Sequence, residues 1–357
     1  MSFNKKTIRD VDWQGKTALV RVDYNVSIKD GKVVDELRLR ESLPTLEYLR
    51  EHGVKRMILM SHLGRPAGQA DPAFSLKPTA ERLAELMPGH VVAFVDWATG
   101  NVANAVEKLP EGGILMLENL RFAPEEEANS TEFAQKIVSE TGADVFVQDG
   151  FAVLHRKHAS TDAMARLLPA VAGLLVEKEA KALDAVMENP ERPLMFIVGG
   201  AKVEDKKPLV ERFLPIADKI AVGGKIAVDG LDVSDPKIYV AEGFVSNVEG
   251  AKLDIDEAST AHIIDMMQDA KTIIWNGTMG MAETAEFSTG SRKIAEAMGH
   301  LSGANTVIVG GDTAGFVESL MKEDPSLSYT MILTGGGAGL KYLLDESLPG
   351  LEVLQNS

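Results

Sequence analysis

The chain has 357 residues, 45% of them hydrophobic and 25% charged, which is typical of a globular protein and long enough for two domains. Its formal net charge of −16 argues against a general nucleic-acid or anionic-membrane surface, so any anion site must be a local concentration of Arg and Lys. The absence of cysteine excludes disulfides, thiolate metal sites and a cysteine nucleophile. The polar start MSFNKKTIRD and the lack of an apolar run of about 20 residues predict a cytoplasmic protein with no signal peptide or membrane span.

Short β-branched runs alternate with segments of helical period along the chain, which predicts an α/β fold with parallel sheets and crossover helices. In the first half, the expected strands are 17–23, 55–60, 91–94, 113–117 and 144–149. The helices expected between them are 43–52, 76–87 and 131–141. The last of these helices is preceded by the capping residues Asn129 and Ser130 and is followed by Gly142. In the second half, the expected strands are 194–198, 219–222, 237–240, 272–275, 306–309 and 330–333.

Segment 173–193 lies between the two halves and carries apolar residues at helical spacing, and Asn-Pro and Arg-Pro end the pattern before the next strand. We expect this segment to be a helix that joins two domains and serves as a hinge between them. The first domain is then predicted to comprise residues 1–172 with the C-terminal tail 345–357, and the second domain residues 194–344.

The residues that follow the predicted strands change in kind near the middle of the chain. Before about residue 160 the strands end at charged or hydrogen-bonding residues, and after residue 193 they end at glycines. Ligands of open α/β sheets bind beyond the carboxyl ends of the strands. The first half is therefore predicted to bind a small, multiply charged anion. The second half is predicted to bind nucleotide phosphates, because bare backbone N–H groups and helix N-termini can approach them closely.

Five basic patches follow strands in the first half. The string VRVDYN places its polar residues on one face of an extended segment by their period of two. The residues of the five patches are Arg21, Asp23 and Asn25; Arg38 and Arg40, placed just before a helix; His62 and Arg65; Arg121; and Arg156, between His155 and His158. Each patch alone is weak evidence, since VRVDYN can be a plain strand leaving the core and Arg38 and Arg40 a solvated surface. Together the patches favour an anion site, because Arg binds phosphate and carboxylate in a bidentate manner. Without cysteine or further histidine nearby, a transition-metal site at the two histidines is disfavoured.

The glycine-rich strings of the second half suggest phosphate binding by a route other than the common motifs. GGAKVEDK places Lys202 and Lys206 four residues apart, on one face of a helix. GGDT places Asp312 at a helix start, where it serves either as a Mg²⁺ ligand or as a simple N-cap. In WNGTMGMAE, Glu283 is either a ribose partner or an exposed charge. Neither GxxxxGK[ST] nor GxGxxG occurs, which argues against a P-loop protein and against a dehydrogenase.

Taken in order, these strings resemble the phosphoglycerate kinase family over nearly the whole chain, from RVDYNV through SHLGRP, LENLRF, HRKHAST, GGAKVEDK, WNGTMG and GGDTA to TGGGAGL. The resemblance implies two Rossmann-like domains around a cleft, with the C-terminal tail packed on the first domain. It implies the reversible glycolytic transfer of a phosphoryl group from 1,3-bisphosphoglycerate to MgADP, giving 3-phosphoglycerate and MgATP. It also implies Mg²⁺ bound with the nucleotide, no partners beyond these small molecules, and a monomer.

The resemblance also assigns roles to individual residues. The phosphoglycerate ligands are expected to be Arg21, Asp23, Asn25, Arg38, His62, Arg65, Arg121 and Arg156. Arg38 and Lys202 are expected to neutralise the phosphoryl group during transfer. The nucleotide and its metal are expected to be held by Lys202, Lys206, Asn276, Glu283, Gly310, Gly311, Asp312, Thr313, Gly335, Gly336 and Gly337, with Asp312 as the metal ligand. These residue types suit the reaction, because its carboxylate nucleophile is already ionised and needs alignment and charge stabilisation, not a general base.

Four departures from the family pattern are visible. Lys225 replaces the third of three glycines. Thr278 replaces the proline of the family's NGPMG, and Met281-Ala282 follow where the family has an aromatic residue two positions on. The segment between Lys225 and Asp254 is shorter by several tens of residues. The fourth is QDGFAVLHR, where the family has NDAFGTAHR. The first three bear on nucleotide affinity or base choice, and the fourth borders the phosphoglycerate site. They leave two alternatives open: a catalytically impaired relative that binds an anion or a nucleotide, and a kinase for a different acyl phosphate.

Overall fold

The structure, a computed structural model, describes residues 2–231, 233–333 and 335–357. The chain forms two compact units. The N-terminal unit comprises Ser2–Lys181 together with Ser347–Ser357, and the C-terminal unit comprises Ala182–Glu346. The predicted two-domain α/β fold is confirmed. In the described part of the chain, no helix is both long and apolar enough to cross a bilayer.

The strands and helices alternate along both units. The strands are β1 Thr17–Arg21, β2 Ile28–Lys29, β3 Lys32–Val33, β4 Arg56–Met60, β5 Val92–Val95, β6 Gly113–Leu117, β7 Val145–Gln148, β8 Ala170–Ala172, β9 Leu194–Val198, β10 Lys219–Val222, β11 Ile238–Val240, β12 Phe244–Ser246, β13 Lys252–Ile255, β14 Thr272–Asn276, β15 Asn305–Val309 and β16 Met331–Leu333. The helices are α1 Leu37–Glu51, α2 Lys77–Leu86, α3 Val102–Glu107, α4 Pro124–Glu127, α5 Thr131–Thr141, α6 Met164–Leu167, α7 Leu174–Glu188, α8 Val203–Phe213, α9 Gly224–Asp229, α10 Glu257–Met267, α11 Thr289–Gly299, α12 Gly311–Glu323, α13 Gly336–Leu343 and α14 Pro349–Glu352.

The N-terminal unit is built on a parallel sheet of six strands in the order β5-β6-β4-β1-β7-β8. The central strands β1 and β6 are buried along their whole length, as expected for a sheet covered on both faces. If these six strands are numbered by their order along the chain, the sheet reads 3-4-2-1-5-6. It differs from the Rossmann order 3-2-1-4-5-6 in that the fourth strand, β6, lies between the third, β5, and the second, β4. The carboxyl ends of β4, β1 and β7 lie side by side at the middle of the sheet.

The C-terminal unit is built on a second parallel sheet of six strands, in the order β11-β10-β9-β14-β15-β16. In chain order this sheet reads 3-2-1-4-5-6, which is the Rossmann order. The direction of the chain across the sheet reverses between β9 and β14, and ligands of such sheets bind at this switch point, beyond the carboxyl ends. The glycines after β9 and β14 therefore lie where a ligand is expected.

Most predicted elements are confirmed to within one or two residues, and α5 is confirmed at both ends. The Ser130 hydroxyl caps its first turn by accepting a hydrogen bond from Phe133 N at 3.2 Å, and Gly142 ends it with a φ of 58°. The prediction for α1 was wrong at its start. Asp35 Oδ1 accepts a hydrogen bond from Leu37 N at 3.1 Å and begins the helix there, so Arg38 and Arg40 lie inside its first turn and not before it.

The helix predicted over 173–193 is observed as α7, which begins at Leu174 and ends at Glu188. The boundary between the two compact units, Lys181 and Ala182, falls inside this helix. The C-terminal segment is hydrogen-bonded to the start of the chain and to the edge strand β8, through Lys6 N to Gln355 O at 2.8 Å and Gln355 N to Ala170 O at 3.0 Å. The last residues of the chain thus complete the N-terminal unit.

Candidate active site

Arg21 is the last residue of β1 and lies at the centre of the basic patches of the N-terminal unit. Its guanidinium is 1% exposed, donates from Nε to Ser160 Oγ at 2.8 Å, and places Nη2 at 3.1 Å from His62 Nδ1. The pKa of Arg21 is lowered to about 10, mainly by burial, with the charge of Glu126 opposing this effect and the charge of Arg156 adding to it. The group therefore remains a cation at neutral pH, held in one orientation.

His62 follows β4 and is 2% exposed. Burial lowers its pKa well below the usual value, and the charges of Arg21, Arg156, Arg38 and His158 act in the same direction. The His62 ring therefore lies near side chains from several basic motifs, although these motifs are far apart in the chain. The ring is neutral at physiological pH and can donate or accept a hydrogen bond without adding charge.

Two polar residues after β1 connect neighbouring patches. The Asp23 carboxylate is 7% exposed and forms an ion pair with Arg38 of α1. Asn25 Oδ1 accepts a hydrogen bond from Gly64 N at 2.9 Å, and Arg121 Nη1 donates to Gly64 O at 2.8 Å. The loop after β4 is thus held between the end of β1 and the turn that follows β6.

Arg65 and Arg156 complete the basic cluster. Arg65 is exposed in the loop after β4, and Arg156 is half-buried in the loop after β7. The pKa of Arg156 is lowered by burial and by the charge of Arg65, so the two guanidiniums are near enough to repel each other. Like charges held together in this way form a preorganised site for an anion. The structure brings together all eight residues assigned to phosphoglycerate.

Two residues behind this cluster were given no role from the sequence. The Glu126 carboxylate is 1% exposed and accepts hydrogen bonds from Ser160 Oγ at 2.6 Å and Ser160 N at 2.9 Å. Ser160 in turn accepts from Arg21. Glu126 is the middle one of three consecutive glutamates in α4, and only the fold shows that it points inward.

In the C-terminal unit, the glycines after β9, β10 and β14 bring three loops into backbone contact. Gly200 N donates to Thr278 O at 2.7 Å, and Lys225 N donates to Gly200 O at 3.0 Å. A Cβ added to Gly277 would lie 2.2 Å from Gly199 O. Because side chains cannot fit between these loops, glycine is required here for packing, and the carboxyl edge of the sheet stays lined by main chain.

Lys206 and Asn276 connect α8 to this edge. Lys206 is 9% exposed, and its ammonium group contacts Asn276 Oδ1. The Asn276 side chain is 1% exposed and also donates from Nδ2 to Val309 O at 2.6 Å. Thr313 Oγ1 accepts from Gly277 N at 2.8 Å. Asn276 and Thr313 were both assigned to nucleotide binding. Their side chains form protein hydrogen bonds beneath the glycines that follow β9, β10 and β14, which we call the glycine edge.

Three other assigned residues are exposed around the same edge. The spacing of four had placed Lys202 and Lys206 on one face of a helix. In the structure Lys202 is the N-cap of α8, before the first helical residue, and is exposed whereas Lys206 is buried. Asp312 lies in the first turn of α12, and the N-cap there is Gly310, so the alternative that Asp312 is a simple N-cap is wrong. Glu283 is exposed in the loop after β14.

The remaining glycines lie at the starts of α12 and α13. Gly310 has a φ of 109°, and a Cβ there would lie 2.8 Å from Asn276 Nδ2. A Cβ on Gly336, whose φ is 48°, would lie 3.8 Å from Gly311 N. The starts of the two helices are therefore adjacent, with Gly335 and Gly337 on either side of Gly336, and helix starts placed together in this way suit an anion. Thr334 of the string TGGGAG lies outside the described residues.

The positions that depart from the family pattern surround this edge. Lys225 is exposed in the first turn of the short helix α9, and its ammonium group pairs with Asp229 at 2.6 Å. Thr278 Oγ1 donates to Gly280 O at 2.9 Å, so its hydroxyl stabilises the loop after β14. The Met281 side chain is 43% exposed. The main-chain contacts of the glycine edge are retained around all three.

Comparisons with known proteins agree along the whole chain. A family model described as "Phosphoglycerate kinase" matches residues 8–242 and 232–346, two stretches that overlap within the segment expected to be shortened. A protein of Chloroflexus aggregans named "Phosphoglycerate kinase" is 40% identical over an alignment of 405 positions, which covers 99% of this chain and 100% of the relative. A protein of Borrelia hermsii with the same name is 38% identical over 395 residues, covering 98% and 99%.

Solved structures give the same result. A phosphoglycerate kinase from Pyrococcus horikoshii OT3 has a TM-score of 0.83 at 28% identity, and one from Coxiella burnetii has a TM-score of 0.77 at 28% identity. Each comparison covers 98% of both chains. With this coverage by the family model, the curated relatives and the solved structures, the chain belongs to the phosphoglycerate kinase family.

Proposed function

We propose that this chain is an active phosphoglycerate kinase, which transfers a phosphoryl group reversibly between 1,3-bisphosphoglycerate and MgADP to give 3-phosphoglycerate and MgATP. The observation that carries the proposal is the convergence of arginines from five separate motifs at the carboxyl edge of the N-terminal sheet. A substrate with both a phosphate and a carboxylate suits such a cluster, because each anionic group can accept two parallel hydrogen bonds from a guanidinium.

The phosphoglycerate would be bound directly by the cationic residues of the cluster. Arg65 and Arg156 support this role by their exposure and mutual repulsion, and Arg21 by its fixed orientation. Neutral His62 would offer a hydrogen bond to a substrate oxygen. Asp23 would act mainly by holding Arg38 through their ion pair. Asn25 would act by holding Gly64, which precedes Arg65 and whose carbonyl oxygen accepts from Arg121.

The nucleotide phosphates would lie along the glycine edge of the C-terminal unit. The helix starts at Gly310–Gly311 and Gly335–Gly337 supply N–H groups, and Lys202 and Lys206 supply positive charge. Asn276 and Thr313 would act through Lys206 and Gly277, since their side chains already have these partners. Glu283 would reach the ribose from its exposed loop. Asp312 is an exposed carboxylate beside the phosphate positions, which suits the Mg²⁺ that accompanies the nucleotide.

The reaction needs no general base from the protein in the ATP-consuming direction, because the attacking group is an ionised carboxylate. The protein must align the reactants and stabilise the charge on the transferred phosphoryl group. Arg38 and Lys202 would supply that charge from the two substrate sites. Water must be kept away from the acyl phosphate product, which it would otherwise hydrolyse.

The proposal includes the hinge role of α7. Phosphoglycerate and nucleotide are assigned to different compact units, and transfer requires them to meet, so the helix in which the unit boundary falls is the natural hinge. Small-angle scattering should show a smaller radius of gyration with both substrates bound than with neither. An unchanged radius under conditions of measured turnover would contradict a hinge at α7.

We further propose that the chain is monomeric and cytoplasmic and that its partners are these small molecules alone. The net charge of −16 supports the absence of nucleic-acid and anionic-membrane partners. Light scattering after size exclusion, with and without nucleotide, would measure the mass in solution against the 38.5 kDa of one chain.

The deciding experiment is steady-state turnover of the purified chain with 3-phosphoglycerate and MgATP, coupled to consumption of the acyl phosphate product. ADP and GTP binding should be titrated on the same preparation, because the departures near Lys225 and Thr278 bear on base choice. Saturable turnover that depends on both substrates would confirm the kinase. Binding of 3-phosphoglycerate without turnover would contradict the proposed function and favour an anion-binding relative.

A further inference from the structure

A buried carboxylate stands behind the cationic cluster and does not reach the substrate side. Glu126 lies on the four-residue helix α4, with its side chain 1% exposed. It is the one buried glutamate of the three in this helix, whereas Glu125 and Glu127 are exposed. Burying a carboxylate is unfavourable unless it has hydrogen-bond partners and a compensating charge, so its environment indicates what it does.

Glu126 is connected to Arg21 through a single residue. Both carboxylate oxygens accept hydrogen bonds from Ser160, Oε1 from the hydroxyl at 2.6 Å and Oε2 from the backbone N–H at 2.9 Å. The Ser160 hydroxyl can donate only one proton, which it gives to Glu126. Its oxygen is thereby left as an acceptor for Arg21 Nε, at 2.8 Å. The carboxylate therefore fixes the direction of the hydrogen bond that orients the guanidinium.

The charges of the two groups are also coupled. The pKa of Glu126 is raised by burial but is opposed by the charge of Arg21 and by the hydrogen bonds from Ser160. The same pairing raises the pKa of Arg21 against the larger effect of burial. Other ionisable groups beside the pair are Arg156, Glu127, His62, whose Nδ1 lies 3.1 Å from Arg21 Nη2, and His158, whose Nδ1 lies 4.0 Å from Glu126 Oε1. The pKa of His158 is lowered to about 4 by burial and by Arg156 and Arg21, so this ring adds no positive charge near neutral pH.

We propose that Glu126 is a positioning residue of the phosphoglycerate site, which through Ser160 orients the Arg21 guanidinium and supplies its counter-charge. This inference rests on the proposed function, because it takes Arg21 as a ligand of phosphoglycerate. Glu126 itself does not contact the substrate in this arrangement. Its effect is to keep a buried guanidinium protonated and in one orientation while Arg156 places a second positive charge nearby.

The proposal makes an unusual prediction about charge. If Glu126 acted only as a nearby negative charge, its removal would strengthen binding of an anion, because repulsion is lost. If Glu126 positions Arg21, its removal weakens anion binding, although the site becomes more positive. The direction of the change in affinity thus separates the two roles.

The test uses Glu126→Gln in the full chain, with Glu125→Gln as the charge-matched control on the same helix. The dissociation constant for 3-phosphoglycerate is measured by calorimetry without nucleotide, and KM values are measured by turnover. We expect Glu126→Gln to raise the dissociation constant and the KM for 3-phosphoglycerate about tenfold or more. The KM for MgATP should stay within about twofold, and Glu125→Gln should leave all three constants near wild type.

The alkaline pH dependence gives a readout that a merely structural role would not move. Loss of 3-phosphoglycerate binding at high pH, where Arg21 loses its proton, should begin at a lower pH in Glu126→Gln than in wild type, because the counter-charge is gone. Ser160→Ala removes the orienting hydrogen bond but keeps the carboxylate, so it should weaken binding with a smaller shift of this limb. Unchanged or tighter binding in Glu126→Gln would overturn the proposal.

Two further measurements keep the outcome decisive. If Glu126→Gln fails to fold, the Arg21 Nε–H resonance of the wild-type protein can be followed by NMR, and an exchange rate equal to that of exposed arginines would overturn the proposal. If the wild type shows no turnover but binds 3-phosphoglycerate, and Glu126→Gln weakens that binding, the kinase assignment fails while the positioning role stands. If the wild type turns over and both Glu126→Gln and Ser160→Ala bind 3-phosphoglycerate as the wild type does, the kinase assignment stands and the positioning role of Glu126 fails.

Discussion

Arg21 Nη2 lies 3.1 Å from His62 Nδ1, and both side chains are almost completely buried. A guanidinium can only donate, so Nδ1 must accept and the ring proton must lie on Nε2. The hydrogen bond to Arg21 thus fixes the tautomer of His62 and leaves the Nε2–H group as its donor. Since Arg21 already carries a positive charge, a second proton on the ring would be strongly opposed.

The first prediction concerns this ring. Burial, followed by the charges of Arg21 and three other groups, lowers the pKa of His62 well below the usual value. We expect His62 to remain neutral between about pH 6 and 8, so 3-phosphoglycerate binding should show no step from its protonation in this range. Nitrogen-15 NMR should show an unprotonated Nδ1 and a protonated Nε2 throughout. A midpoint for His62 inside that range would contradict the arrangement with Arg21.

The second prediction concerns Lys202, the exposed N-cap of α8. If it stabilises the phosphoryl group during transfer, Lys202→Ala should lower kcat about 100-fold or more, with a smaller change in the KM for either substrate. Lys207→Ala removes the same charge from the same helix and is the matched control. Steady-state kinetics on both variants makes the comparison. Near wild-type turnover in Lys202→Ala would remove Lys202 from the mechanism.

Regular elements with strong local patterns could be predicted from the sequence. The run LMFIV predicts β9 at its observed bounds, and the change from Arg and His to glycine at the strand ends predicts both candidate sites at the carboxyl edges of the two observed sheets. Strand β8 was missed because Ala170–Ala172 has little β-propensity. Its place is held by pairing with β7 and by the bond from Ala172 N to Lys6 O at 2.9 Å.

The antiparallel pair β12 and β13 was also missed, because three or four residues on either side of a turn give too short a pattern. Long-range polar contacts could not be predicted at all. Lys206 and Asn276 are far apart in the chain, and only the order of the strands brings α8 beside the end of β14. The burial of Glu126 could not be predicted for the same reason, since its hydrogen-bond partner Ser160 lies 34 residues further along the chain.

The third prediction concerns Gly277, which lies at the switch point after β14. Gly277 has a φ of 89° and Gly250 has a φ of 83°, but a Cβ on Gly250 meets nothing within 4 Å, whereas one on Gly277 would lie 2.2 Å from Gly199 O. Gly250→Ala should therefore lose only the backbone preference, about 1 to 2 kcal/mol of unfolding free energy, with turnover unchanged. Gly277→Ala should lose more and also abolish ADP binding, because the loops after β9 and β14 must separate.

Urea unfolding and ADP titration on the two glycine variants measure these effects. The pair shares a positive φ, so the difference between them isolates the clash with the neighbouring loop. Equal losses of stability, with ADP binding retained in both, would show that close packing of the glycine edge is not needed for the nucleotide.

The last prediction concerns Asp149, which joins the end of β7 to the start of α7. Its side chain is fully buried, and Oδ1 accepts hydrogen bonds from Thr45 Oγ1 at 2.8 Å and Leu175 N at 3.1 Å. The pKa of Asp149 is raised to about 8, mainly by burial, with the two hydrogen bonds opposing this effect and the charge of Glu41 adding to it. The carboxyl group is therefore protonated in the folded protein at neutral pH but ionised in the unfolded chain.

A carboxyl group whose pKa is raised by folding contributes its full stability below the unfolded pKa and loses it as the pH rises through the folded value. For Asp149 this window runs from about pH 4 to about pH 8, with a slope of at most roughly 1.4 kcal/mol per pH unit. Asp149→Asn cannot ionise, so its unfolding free energy should gain on that of the wild type as the pH rises across the window. Urea unfolding at several pH values measures the difference, with the exposed Asp12→Asn as control. Parallel curves for Asp149→Asn and wild type would mean that Asp149 is ionised in the folded protein, with its charge balanced at the start of α7.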